Sequence, residues 1–326
     1  MADSIFCSQP YGHLTQSWAD RRLLQLGQRL LVDGYKFVTP TPLTHQRVNA
    51  RPGSSQATDL RAVFGWSRPF DSGLFDDTEF AELLQSGIIE QHASRWRSTV
   101  RWSSLGSLLL AHSAFPTDKA DAVFFGPDTY RFASLIEAHL SQRFAPIHRA
   151  VDIGCGTGAG ALLVARTHPH AEVLAVDINP RALRMSAVNA ELAEAHNVSV
   201  YHSDVLGSIE GRFDLILANP PYMKDTRQRA YRHGGGVLGE QLSLRILEEA
   251  LPRLQPDGTL LLYTGVAMKA GRDLFLDAAR GLLASDDYGW TYREIDPDVF
   301  GEELEKPGYE QVERIAVVAL TVTRLT

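Results

Sequence analysis

The sequence predicts an α/β protein: a doubly wound, mostly parallel seven-stranded sheet preceded by a smaller helical or winged-helix-like domain. Three observations carry this expectation. Apolar runs recur at 149–153, 172–176, 198–202, 213–218 and 258–263 and alternate with helical segments, as a parallel sheet with crossover helices requires. Two further runs, about 290–295 and 314–322, have no clear helix between them and are expected to form an antiparallel edge pair. Residues before about 120 lack the alternation, and the polar turn Pro116-Thr117-Asp118-Lys119 is the expected boundary between domains at 1–120 and 121–326.

In the first region, Trp18, Leu23, Leu26, Leu30 and Leu31 fall at near-helical spacing before Gly34 and predict one amphipathic helix. Residues 39–58, with three prolines, Gly53 and Ser54-Ser55, read as an extended surface connection. Asp76 with Glu79 three residues on marks a helix start, and Gly87 its end. A short apolar piece, the basic-aromatic stretch Arg95-Trp96-Arg97-Ser98-Thr99-Val100-Arg101-Trp102 and a leucine run at 108–110 complete the region.

Composition narrows the function classes. The 326 residues carry a net charge of -7, with 12 Lys+Arg against 11 Asp+Glu in residues 1–120 and 20 against 28 in the remainder. Such a chain lacks the global field of a dedicated nucleic-acid binder, although a local basic patch could still serve. Two distant cysteines, Cys7 and Cys155, give no disulfide framework, and neither a leader-like opening nor an apolar run of membrane-spanning length is present. A cytoplasmic setting without membrane attachment is the expectation. The histidines show no zinc-like spacing, so no metal site is expected.

Chemistry concentrates at two motifs. Ala150-Val151-Asp152-Ile153 runs as a strand into Gly154-Cys155-Gly156-Thr157-Gly158, and 159–166 then reads as a helix, so a ligand can approach bare backbone at a helix N-terminus. This Rossmann-like turn also satisfies a relaxed dinucleotide fingerprint, which leaves a nicotinamide-dependent oxidoreductase open at this step. Asp177 ends the next strand, 19 residues beyond Gly158, where a carboxylate can accept from both hydroxyls of a ribose. Asp204 closes the third strand in a position suited to an adenine amino group, and Cys155 reads as a small loop residue without a neighbouring base. Asn179-Pro180 caps the intervening helix.

The second motif is Asn219-Pro220-Pro221-Tyr222, delivered by the strand Phe213–Ala218 to the carboxyl edge of the sheet. Two prolines in series hold the Asn219 side chain and the Pro220 carbonyl as a preformed pair of acceptors. A planar NH2 group can donate to both while Tyr222 stacks on its face, which points to transfer chemistry at a nitrogen.

With both motifs, residues 121–265 resemble the class I S-adenosyl-L-methionine-dependent methyltransferases carrying Asn-Pro-Pro-Tyr, especially the release-factor glutamine methyltransferases and related small-domain enzymes. The resemblance implies cofactor contacts at Asp152, Gly154, Gly156, Gly158, Asp177 and Asp204. It extends them to the flanking Cys155, Ile178 and Val205, to Asn219, and to Thr129 and Tyr130 upstream. It implies that Asn219 and Pro220 grip the acceptor nitrogen, with Pro221 and Tyr222 completing the catalytic motif. That family's proline-acid-threonine stretch is preceded by arginine and followed by glutamate, whereas this chain reads Gly126-Pro127-Asp128-Thr129-Tyr130.

The expected activity is therefore N-methyl transfer to a protein glutamine, a nucleobase or RNA, or a small molecule. Two other readings stand beside it: a cofactor-binding, nucleic-acid-associated regulatory protein using residues 95–102, and the oxidoreductase, which leaves Asn219-Pro220-Pro221-Tyr222 without a role. Beyond the motif, Lys224, Arg227, Arg229 and Arg232 precede Gly234-Gly235-Gly236 and suggest a basic lid closing on an anionic substrate.

Overall fold

A computed structural model describes residues 17–225, 229 and 231–326; Cys7 and Arg227 lie outside the described residues. The chain opens with helices α1 (Trp18–Val32), α2 (Pro42–Asn49), α3 (Leu60–Phe64) and α4 (Asp77–Gln85). Two antiparallel ribbons follow, β1 (Ile89–His92) with β2 (Arg95–Ser98) and β3 (Val100–Leu105) with β4 (Leu108–Ser113). Helix α2 corrects the expected extended connection over 39–58. Thr41 caps it by accepting from Thr44 N, and Pro42 occupies its first turn, where a missing N–H costs nothing. Asp76 caps α4 through Glu79 N at 2.9 Å.

The second half runs α5 (Pro127–Gln142), β5 (Arg149–Ile153), α6 (Ala159–Thr167), β6 (Glu172–Asp177), α7 (Pro180–Leu192), β7 (Val198–His202) and β8 (Phe213–Ala218). It continues α8 (Gln241–Ala250), β9 (Leu254–Lys269), the two-residue β10 (Arg272–Asp273), α9 (Leu274–Leu282), β11 (Tyr288–Asp296) and β12 (Arg314–Arg324). The main sheet has the order β11-β12-β9-β8-β5-β6-β7, with β10 paired to β9. Strands β7, β6, β5, β8 and β9 are mutually parallel, and β12 is antiparallel to both its neighbours. The last two strands thus pair as expected, but β12 inserts between β9 and β11, leaving β11 alone at the edge. Its run of buried residues, Ile315 to Leu320, fits that interior place.

Strand order reverses between β5 and β8, and such switch points open a crevice at the carboxyl ends of the strands. Apolar side chains from both sheet faces form two cores, one under α5 and α6 and the other under α8 and α9. A third core joins the first helices and ribbons to the outer face of α7, around the fully buried Trp102. Gly27 is required there, because a Cβ would lie 2.6 Å from the Trp102 ring. Buried Asn189 on α7 ties β4 to the glycine loop, bonding Ala111 N at 2.7 Å, Ala111 O at 3.0 Å and Thr157 O at 2.9 Å. Among the described residues no helix is long and apolar enough to cross a membrane.

The basic-aromatic stretch does not form an open cationic face. Arg101 is buried over the Phe37 ring and donates to Gly65 O at 2.9 Å, while Arg97 pairs with Glu90 and Arg95 with Asp71. Two of its charges are ion-paired within the chain and the third is buried.

Candidate functional site

After β5 the chain turns through Gly154, Gly156 and Gly158, whose φ values of +67°, +55° and +77° lie where other L-residues are strained. A Cβ on Gly154 would meet nothing within 4 Å, whereas on Gly158 it would fall 2.7 Å from Ser186 Oγ. One glycine leaves backbone bare; the other lets the loop pack on α7. Two carboxylates brace the turn. Asp177 at the end of β6 accepts from Gly156 N at 3.0 Å and Asn179 N at 2.8 Å, and Asp152 accepts from Ala161 N at 3.0 Å. Burial pushes both carboxyls up, Asp152 to about 7. Cys155 Sγ lies 3.3 Å from Ser186 Oγ, and burial holds its thiol well above the usual range.

This turn floors a cleft of about 1040 Å³, counted to its open mouth. From β5 and β6 it takes Asp152, Gly154, Cys155, Gly156, Asp177 and Ile178. The opposite side brings Thr129, Asp204, Val205 and the Asn219-Pro220-Pro221 turn. Asp204 does not close β7 but lies two residues past its end, and both its oxygens are held by Arg245 at 2.9 and 3.0 Å. Gly158 does not line the cleft; its place is the cap of α6. Nor does Tyr130, a correction with a clear cause: its hydroxyl donates to Ser104 O at 3.1 Å and accepts from Thr39 N at 3.2 Å, fastening α5 to the N-terminal region.

A second cavity, of about 440 Å³, adjoins the first. Phe124, Asn219, Pro220, Pro221 and Tyr231 line both, so the two spaces meet at the motif that follows β8. The second is completed by Asp128, Tyr222, Met223, Arg232 and Phe300. Among the described residues the Asn219 side chain has no hydrogen-bond partner. Tyr222 is buried and meets Phe300 edge-on, with ring centres 6.2 Å apart. Its hydroxyl is engaged, donating to Asp128, which also receives Tyr263 Oη at 3.1 Å and Arg131 Nη1 at 3.2 Å. Burial raises the Asp128 carboxyl against the pull of these donors.

The segment after the motif folds back on it. Met223 N donates to Arg232 O and Gly234 N to Met223 O, each at 3.0 Å. Two cations of the expected basic lid are paired within the chain. Arg229 is clamped by Asp225 at 2.7 Å, which holds that carboxyl down at about 2, and Arg232 Nη2 donates to Glu303. The glycine run serves close packing: a Cβ on Gly234 would lie 2.6 Å from Pro221 O, and Gly235 and Gly236 take φ of +71° and +75°.

Sequence reasoning missed Phe124, Asp128, Tyr231 and Phe300 as site residues. Asp128 carried a signal, since it sits in the Pro127-Asp128-Thr129 match, but the aromatic residues carried none. Gly126 makes room for one of them: a Cβ there would lie 2.7 Å from Phe124 Cζ. Phe124 in turn stacks on Tyr231 at 4° between ring planes, and Tyr231 Oη donates to Thr117 O at 2.7 Å.

Comparisons with known proteins place this chain among methyltransferase-like sequences. Residues 124–274 match the family model described as Methyltransferase small domain. The ribosomal protein uL3 glutamine methyltransferase of Neisseria meningitidis is 32% identical over 130 residues, 36% of this chain and 43% of that protein. The release factor glutamine methyltransferase of Koribacter versatilis is 32% identical over 181 residues, 51% of this chain and 60% of that protein. The chain thus spans about half the length of the curated relatives it matches. A solved methyltransferase from Pyrococcus furiosus aligns with a TM-score of 0.43 at 21% identity, over 63% of this chain and 89% of that one.

Proposed function

We propose that this chain is an S-adenosyl-L-methionine-dependent N-methyltransferase whose acceptor is the side-chain carboxamide of a glutamine in a cytoplasmic protein. The carrying observation is that the large cleft and the smaller cavity meet at Asn219-Pro220-Pro221. A methyl donor in one and a nitrogen in the other would face each other across that turn.

The residues fit the cofactor. Gly154 leaves open space over bare backbone, and each Asp177 oxygen, with one lone pair given to a backbone N–H, retains another for a ribose hydroxyl. Asp204, steadied by Arg245, would receive the adenine amino group, with Thr129, Ile178 and Val205 packing around the nucleoside. When bound, the cofactor supplies an activated methyl on a sulfonium. Asn219 and the Pro220 carbonyl would each accept one N–H of the amide and fix its nitrogen, and such positioning can supply about 7–11 kcal/mol of a barrier in favourable cases. Pro221 and the anchored Tyr222 hold that turn.

A protein acceptor is favoured over nucleic acid because the arginines at 95–101 are spent internally and the net charge is -7. The matched relatives named above are glutamine methyltransferases. In this reading residues 1–120 dock the acceptor protein and 121–326 carry the chemistry. Incubation with methyl-labelled cofactor and a cell extract split into protein, RNA and dialysable fractions tests it. Label should enter protein and map by mass spectrometry to glutamine; label confined to RNA would overturn the acceptor assignment.

A further inference from the structure

We infer that Arg232 reads the carbonyl oxygen of the acceptor, so that the cavity selects a neutral carboxamide over a charged amine. This rests on the activity proposed above and deepens it. Arg232 lines the acceptor cavity beside Asn219 and Tyr222, with its guanidinium 5.9 Å from the centre of the Phe300 ring. Nη2 is held by buried Glu303, which Lys306 also grips at 2.5 Å, and Nε lies 4.0 Å from Asp225. Nη1 makes no hydrogen bond among the described residues. The planar fork allows this division, since one arm can be anchored while the other stays available to an incoming acceptor.

The need for such a donor follows from the amide itself. A carboxamide presents two N–H groups and one carbonyl, and in the proposed reading Asn219 and Pro220 offer acceptors for the N–H groups alone. A carbonyl taken out of water without a donor is penalised. The other hydroxyls lining the cavity are committed, Tyr222 to Asp128 and Tyr231 to Thr117 O at 2.7 Å. Arg232 is the cation left to answer it.

Selection then works in both directions. A lysine ammonium would face the Arg232 charge and brings no oxygen for it. A glutamate would satisfy Arg232 but has no N–H for Asn219 and Pro220. Only the carboxamide completes both halves.

The test uses two capped probes, N-acetyl-glutamine methylamide and N-acetyl-lysine methylamide, with methyl-labelled cofactor, and calorimetric binding of S-adenosylhomocysteine. Wild type should label the glutamine probe and leave the lysine probe unlabelled. Arg232→Met should raise KM for the glutamine probe tenfold or more, about 1.4 kcal/mol, while cofactor affinity stays within twofold. Glu303→Gln, which neutralises the partner in the same loop contact but keeps the guanidinium, should change KM less than threefold, and Arg232→Lys should fall between. Equal losses in Arg232→Met and Glu303→Gln would show a purely structural role and overturn the inference, as would an unchanged KM in Arg232→Met. Should Arg232→Met fail to fold by circular dichroism, Arg232→Lys decides: a wild-type KM there refutes the inference. Wild type that binds S-adenosylhomocysteine yet ignores the glutamine probe would refute the proposed acceptor, and the inference falls with it.

Discussion

Between Asp152 and Val205 the large cleft draws on the ends of three strands that follow one another in the chain, and its floor is backbone shaped by glycines. The smaller cavity gathers side chains from separate segments: Phe124 before α5, Tyr222 after β8, Arg232 in the returning loop and Phe300 between β11 and β12. Over that stretch the first is local and its floor is main chain. The second is long-range and made of side chains, and each wall is held by partners elsewhere, as Tyr222 is by Asp128 and Arg232 by Glu303. A site of the first kind binds a constant group; one of the second kind can be changed wall by wall without disturbing the donor.

If the two are separable, Asn219→Ala should show it most strongly. Transfer to a glutamine probe should fall about a hundredfold or more, the scale on which misplacing a reacting atom acts, while affinity for S-adenosylhomocysteine stays within a few-fold. Steady-state kinetics beside calorimetry checks this, and a matching loss of cofactor affinity would break the comparison.

Asp177→Ala is the converse. Charge-assisted hydrogen bonds of about 1.5–3 kcal/mol would be lost to ribose and to the glycine loop, so S-adenosylhomocysteine should bind roughly ten- to a hundredfold more weakly. Unchanged binding by calorimetry would mean that the cleft does not hold the nucleoside as assigned.

Tyr222→Phe probes the long-range site at its support. The buried Asp128 would lose one of its three donors, and the fold should lose about 1–3 kcal/mol of stability, read by thermal unfolding. No loss would mean that the turn is rigid through its prolines alone.

The last effect is a pH dependence confined to the cleft. Asp152 titrates near 7 when folded against 3.8 in its ordinary state, because burial disfavours its charge. The folded chain therefore binds more protons than the unfolded chain in that window. The associated stability is complete below about pH 4 and is lost as pH rises through 7. Asp152→Asn should lack this loss, so its melting temperature relative to wild type should climb between pH 4 and 7. His45 and His139, lowered by burial to about 4 from 6.5, act in the opposite sense, losing stability as pH falls, and cancel in the difference. A flat difference would mean that burial leaves the Asp152 carboxyl in the ordinary carboxylate range.

The parallel strands, the glycine turn, the caps at Asp76 and Asn179 and the Asn219-Pro220-Pro221-Tyr222 motif were all legible in the sequence, because each depends on residues within a few positions of one another. Where local signals conflicted, legibility failed. Pro42 looked like a helix breaker, yet behind the Thr41 cap it starts α2.

Side-chain fate over long separations was decided only by the tertiary structure. The arginines after the motif read as a free basic lid, but Arg232 finds its carboxylate 71 residues away, and the placing of β12 inside the sheet rests on pairing with strands at 254–269 and 288–296. The physical reason is common to both. Backbone conformation follows from neighbours along the chain, whereas a buried charge or an interior strand is defined by whatever the completed fold brings against it.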